Sequence, residues 1–102
     1  MSLFNKWWDA ANSKNRNKMA ELLDDDFIFV RHSTGEEWCT SQCLDVMLIG
    51  VRDKTGSQNR RLVYDNDDIV ISHSTLDGLS GRNAVMLVRL VKDGKFIRSE
   101  TG

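Results

Sequence analysis

The stretch that decides the fold is Asn83-Ala84-Val85-Met86-Leu87-Val88-Arg89-Leu90-Val91-Lys92-Asp93-Gly94-Lys95-Phe96-Ile97-Arg98-Ser99-Glu100-Thr101. Asp93-Gly94 between two strand-like runs is a strong hairpin signal, because both central positions of a type I′ turn need positive φ. A two-residue loop there pairs Leu90 with Ile97, Arg89 with Arg98 and Leu87 with Glu100. One face then holds Ala84, Met86, Val88, Leu90 and Ile97 and reads as core. The other holds Val85, Leu87, Arg89, Val91, Phe96, Arg98 and Glu100. Two arginines directly opposite repel unless an anion joins them. They read as an outer charge cluster or dimer contact, or, more sharply, as an anion-binding pair.

A second hairpin precedes this one. Residues 59–64 and 69–75 flank the turn Asp65-Asn66-Asp67-Asp68, pairing Tyr64 with Ile69, Leu62 with Ile71 and Arg60 with His73. That face is apolar with polar groups towards its ends, and Tyr64, His73 and Thr75 are expected to point at the helices. Apolar walls with a few convergent polar groups are what a ligand pocket needs. His73 suits general acid–base work. It reads equally as a core or rim histidine bonded to a neighbour.

Working outward, Phe4, Trp7, Trp8 and Ala11 form one stripe of an amphipathic helix that Ser2 can cap and Asn12-Ser13 ends. A short second helix turns Met19, Ala20, Leu22 and Leu23 inward and stops at Asp24-Asp25-Asp26, read as a solvated junction. Residues 27–32 and 36–39 read as strands around Ser33-Thr34-Gly35. Thr40 or Ser41 caps a third helix, with Asp45 in its first turn. That helix carries Cys43, Leu44, Met47, Leu48 and Val51 on one side and Val46 and Ile49 elsewhere. It is expected to be the most buried helix. Polar loops are expected at residues 52–57 and 76–82. The order is helix, helix, two strands, helix, four strands: an α+β domain with one antiparallel sheet.

The chain has 102 residues, with 14 Lys+Arg against 15 Asp+Glu and a net charge of -1. That length fits a single domain, 1–102. No apolar run reaches the roughly 20 residues of a membrane helix, and the first residues carry no signal-peptide core, so the cytoplasm is the expected location. Balanced charge without a basic block argues against nucleic acid. There is no proline, so Gly, Asn, Asp and Ser must make the turns. Cys39 and Cys43 have neither CxxC nor zinc spacing and read as small buried side chains. A reactive Cys43 thiol at the helix start is the other reading. The acidic turns lack calcium-loop spacing, and His32 and His73 are the only histidines. No metal and no cofactor are expected.

The order of elements resembles the nuclear transport factor 2-like superfamily and its SnoaL-like members. The resemblance is carried by Trp7-Trp8-Asp9-Ala10, by residues 22–27 at the helix-to-strand junction, by residues 69–75 with His73, and by residues 91–98. It implies a cone-shaped, curved antiparallel sheet wrapped around three N-terminal and central helices, enclosing a pocket, in a homodimer. That superfamily hosts isomerases, cyclases, dehydratases and epoxide hydrolases, and also non-catalytic association domains, so fold alone does not assign function. Neither the acid or tyrosine pair of its isomerases nor the Asp-Arg-Asp group of its epoxide hydrolases maps onto this sequence. The last strand is expected to run close to Gly102, with no extension expected to close a pocket.

The reading is therefore a domain that binds a small organic molecule in the cone, with acid–base catalysis of the isomerase, cyclase or dehydratase type as its enzymatic form. His73 and Tyr64 are its catalytic candidates, and Trp8, Arg60 and Thr75 its ligand-binding ones. The alternative is a non-catalytic dimerisation or association domain. The expected partner is a second copy, packed through the sheet face bearing Val85, Leu87, Val91 and Phe96 with Arg89, Arg98 and Glu100 set into it, because an exposed apolar patch of that size is rare on a monomer.

Overall fold

A computed structural model describes residues 2–53, 58–78 and 81–101. The elements are α1 (Leu3–Asn12), α2 (Arg16–Glu21), β1 (Leu23–Arg31), β2 (Glu36–Cys39), α3 (Thr40–Asp53), β3 (Gln58–Asp65), β4 (Ile69–Gly78), β5 (Gly81–Lys92) and β6 (Lys95–Thr101). The three helices pack on one open six-stranded sheet in the order β2-β1-β6-β5-β4-β3. This is the expected α+β arrangement. The sheet is mixed rather than antiparallel throughout, because β1 runs parallel to β6. Those two strands are far apart in the chain, so no hairpin turn dictates their relative direction. Among the described residues no helix is long and apolar enough to cross a membrane.

Local chemistry sets the helix ends. Ser2 caps α1, its hydroxyl accepting from the Asn5 N–H at 3.1 Å, and Asn15 caps α2 through Lys18 N–H in the same way. At the start of α3 the Gln42 side chain accepts from the Cys39 N–H at 3.1 Å, half of a capping box. The Asp24-Asp25-Asp26 run lies inside β1, not at a helix end, and the β1–β6 register shifts across it. A bulged segment keeps Leu23 and Phe27 in the core while leaving Asp25 and Asp26 exposed.

α1, not α3, is the best-buried helix, through Phe4, Trp7, Ala10 and Ala11. Among the described side chains of α3 only Cys43 and Leu44 are fully buried, and Val46 and Ile49 face solvent. The reason is that α3 is covered by β1, β2, α1 and α2 on one side only. Arg16 ties it to α2 through a 2.6 Å ion pair with Asp45. Cys39, expected to be buried, is exposed at the end of β2.

The terminal hairpin corrects the sequence reading most. Asp93 and Gly94 both have positive φ, as the turn requires, and Val91 pairs with Phe96. The register then slips: Leu90 pairs with Arg98, Arg89 with Ser99 and Val88 with Glu100. Ile97 is the extra residue of a β-bulge. Phe96 stays on the inner face with Val91 and Arg89, while the slip moves Arg98 and Glu100 to join Val88 and Leu90 on the outer face. Phe96 is 0% exposed and Arg89 3%, whereas Met86 is 48% exposed. The face assigned to core is the outer one, and the face assigned to a dimer contact is the core. Burying an aromatic ring of this size contributes about 2–3 kcal/mol, a gain that a straight register would secure only by dragging Arg98 and Glu100 inside with it.

The other hairpin carries two further register shifts, one between Gln58 and Arg61 and one between Leu62 and Tyr64. Tyr64 pairs with Ile71 and His73 with Arg61, replacing the expected Tyr64–Ile69 and Arg60–His73 pairs. Val70 and Ser72 are buried against the helices, so Ile69, Ile71, His73 and Thr75 belong to the outer face. β4 and β5 also run on into the expected loop at residues 76–82, pairing as far as Gly78 and Gly81. Residues 79–80, and Gly56 of the other loop, lie outside the described residues.

Candidate binding site around Arg89

The inner face of the sheet carries a guanidinium. Arg89 stands opposite Val70 on β4 and Ser99 on β6, and its guanidinium carbon lies 5.1 Å from the Trp7 ring, 5.0 Å from the Phe96 ring and 6.0 Å from the Trp8 ring. Trp7 and Phe96 meet edge to face at 6.0 Å and 89°, which locks both rings in place. Cation–π attraction holds the charge among them. Nη1 of Arg89 is buried and has no hydrogen-bond partner. No acid pairs with Arg89 among the described residues; its nearest ionisable influence is the neutral thiol of Cys43 on α3. Burial pushes its pKa down to about 10, so it remains charged at neutral pH.

More unpaired polar atoms sit on the residues around it. The indole nitrogens of Trp7 and Trp8 and the hydroxyls of Ser99 and Thr101 are all buried without a partner. Native interiors leave few such atoms, so several on neighbouring residues call for a reason. Arg60 adds a second positive charge, its guanidinium carbon 3.8 Å from the Trp8 ring, and burial lowers its pKa as well.

Of the residues singled out from sequence, Trp8 and Arg60 come together here. Tyr64, His73 and Thr75 do not: they lie on the outer face, because alternation along β4 puts Val70 and Ser72 inside and Tyr64 pairs with Ile71. Tyr64 is 54% exposed, and its hydroxyl accepts from the Asn66 side chain at 3.3 Å. Thr75 Oγ1 accepts from the Asn59 side chain at 3.3 Å. His73 is half-buried beside Arg61 and Met86. On the same outer face His32 meets Glu100 at 2.8 Å, and that hydrogen bond, with Arg98 beside it, holds the Glu100 carboxyl below its ordinary range. Sequence reasoning offered Arg89 only as half of an anion-binding pair with Arg98 on the other face, and missed Trp7, Ser99 and Thr101 as site residues. The available signal was Phe96: the single aromatic residue of the hairpin marks the core face better than Met86 does, and Arg89 lies on its side. An open groove of about 390 Å³ between α1 and α2 is lined by Lys6, Asp9, Lys18 and Glu21. Its charges cancel, and none of the unpaired donors reaches it.

No protein-family model and no curated protein matches the chain. Solved structures do. A nuclear transport factor 2-like protein of unknown function from Burkholderia xenovorans LB400 is similar at a TM-score of 0.69 and 15% identity, over 98% of this chain and 78% of that one. One of the same description from Cytophaga hutchinsonii ATCC 33406 gives 0.68 and 11%, over 98% and 85%. A protein of ketosteroid isomerase-like fold from Catenulispora acidiphila DSM 44928, in complex with trimethylamine, gives 0.60 and 15%, over 99% and 84%. The chain has the nuclear transport factor 2-like cone fold.

The Cys43 thiol is 2% exposed, and burial pushes its pKa up to about 11, the opposite of an activated thiol. The unfolded thiol releases its proton near its ordinary value of 9.0, so stability is retained below that pH and falls as pH rises from about 9 to about 11. Denaturant titrations across this window should show about 2–3 kcal/mol more loss in the wild type than in Cys43→Ala. Parallel slopes in the two proteins would contradict the assignment.

Proposed function

We propose that this nuclear transport factor 2-like fold serves here as a small-molecule-binding domain whose ligand sits between α1 and the inner face of β3–β6. The observation that carries the reading is the set of buried, unpartnered polar atoms on Trp7, Trp8, Arg89, Ser99 and Thr101, framed by apolar and aromatic side chains. Ligand sites combine those two features. Val85 and Leu87, half-buried on the same face, extend the apolar wall. Acid–base chemistry by His73 and Tyr64 would need a substrate on the outer face, so the binding role is the one the inner face supports.

A thermal-shift screen with aromatic, steroid-like and carboxylate compounds tests the reading. Saturation at about 100 times Kd adds roughly 2.7 kcal/mol, or on the order of 10 °C in a domain of this size. Hits should weaken in Trp8→Ala and persist in His73→Ala and Tyr64→Phe. Hits lost in His73→Ala but kept in Trp8→Ala would move the site to the outer face. A screen without hits would remove the reading.

A second reading, the association domain, is favoured by that outer face. Tyr64, Ile71 and Val88 form one cross-strand row and His73 and Met86 another, and Tyr64 and Met86 are about half exposed. A second copy of this chain fits it, because Arg98 and Glu100 share the face and a twofold axis can set each against the other's partner. Light scattering at micromolar concentration should give twice the 11.7 kDa chain mass, falling to 11.7 kDa in Met86→Asp. A wild type at 11.7 kDa excludes the dimer.

A further inference from the structure

We propose that Arg89 anchors a carboxylate site, and that the ligand of the inner face is a small organic acid with an apolar body. The inference rests on the interior-ligand reading above and names its ligand class. Guanidinium and indole N–H groups donate and never accept. Arg89 Nη1 and the Nε1 atoms of Trp7 and Trp8 therefore cannot satisfy one another, although both rings stand within about 6 Å of the guanidinium. What completes them is an acceptor with several lone pairs. A carboxylate offers about four and matches the guanidinium fork in shape. Ser99, the cross-strand partner of Arg89, adds a hydroxyl able to donate to the same group.

The charge of the ligand follows from the neighbours. Arg60 and Arg89 both lie against Trp8, and no acid answers either among the described residues. The relative bound to trimethylamine holds a small amine. In this chain protein guanidinium groups already lie against Trp7, Trp8 and Phe96, so a cationic ligand would meet like charge. A carboxylate monoanion also loses less hydration on entering an apolar site than a phosphate dianion. The half-buried Val85 and Leu87 suit an apolar body beside the acid group.

The test titrates the whole chain with 1-naphthoate and its neutral isostere 1-naphthamide at constant ionic strength, reading tryptophan fluorescence and the thermal midpoint. Naphthoate should bind at least tenfold more tightly, and tetramethylammonium should cause no shift. Arg89→Met should erase the preference for the acid while leaving naphthamide binding in place. Arg89→Lys, which keeps the charge and loses the fork, should reduce it several-fold and serves if the Met variant does not fold. Equal binding of acid and amide to the wild type, a preference that survives Arg89→Met, or a stronger response to phenyl phosphate than to benzoate would overturn the carboxylate site while leaving an interior ligand standing. Failure of both naphthalene probes to bind would remove the interior reading as well.

Discussion

Phe96 and Glu100 lie four residues apart on one strand, and strict alternation would point them to the same side. One is an aromatic ring that the core needs, and the other is a carboxylate that water must keep. The bulge at Ile97 resolves the conflict by shifting the register between them. Which polar groups of the last strand enter the interior follows from that one extra residue. Phe96 keeps the place beside Val91 that the turn sets and meets Trp7. The extra residue brings Ser99 rather than Arg98 beside Arg89 and releases Arg98 and Glu100 to an outer cluster with His32. Without it Arg89 would face a second arginine. With it Arg89 faces a hydroxyl, and no acid among the described residues answers its guanidinium.

That guanidinium is costly. Taking such an ion out of water costs several kcal/mol, and each aromatic ring close to it returns about 2 kcal/mol at best. Three rings surround Arg89, which explains how the charge is tolerated but not why Nη1 lacks an acceptor. Unmet donors of this kind are what a binding site requires before its ligand arrives, because a donor already paired with the protein has to be unpaired to bind. The mixed environment of the inner face is thus coherent: the rings surround the charge, and Ser99 stands opposite it on the next strand.

Much of the fold was legible because it rests on local chemistry. Ser2 marks the start of α1, Asp93-Gly94 marks the hairpin, and the bounds of β2 match the reading from residues 36–39. The order of elements followed from these, and so did the resemblance to the cone fold. What failed was the assignment of faces. Both faces of β5 are apolar, with Met86, Val88 and Leu90 on one and Val85, Leu87 and Val91 on the other, so periodicity could not choose between them. The hairpin arithmetic assumed unbroken ladders, and bulges in β3 and β6 broke them. A one-residue slip sends every later side chain to the opposite face, which is how Arg98 and Glu100 parted from Phe96. Tyr64, His73 and Thr75 lie outside for the other reason, because the unbroken β4–β5 ladder turns the whole Ile69-Ile71-His73-Thr75 face outward and Val70 and Ser72 inward. Trp8 and Arg60 remained on the inner side because Trp8 belongs to a helix, whose inner stripe does not depend on strand register, and Arg60 packs on it.

The central claim is that Arg89, and not Arg98, points into the core. Nuclear magnetic resonance of the isotopically labelled chain tests it directly. The account predicts Overhauser contacts from the Arg89 side-chain δ protons to the rings of Trp7 and Phe96, with those protons shifted upfield by the ring currents, and backbone contacts across the ladder between Arg89 and Ser99. Unshifted Arg89 δ protons together with a ladder pairing Arg89 to Arg98 would contradict it.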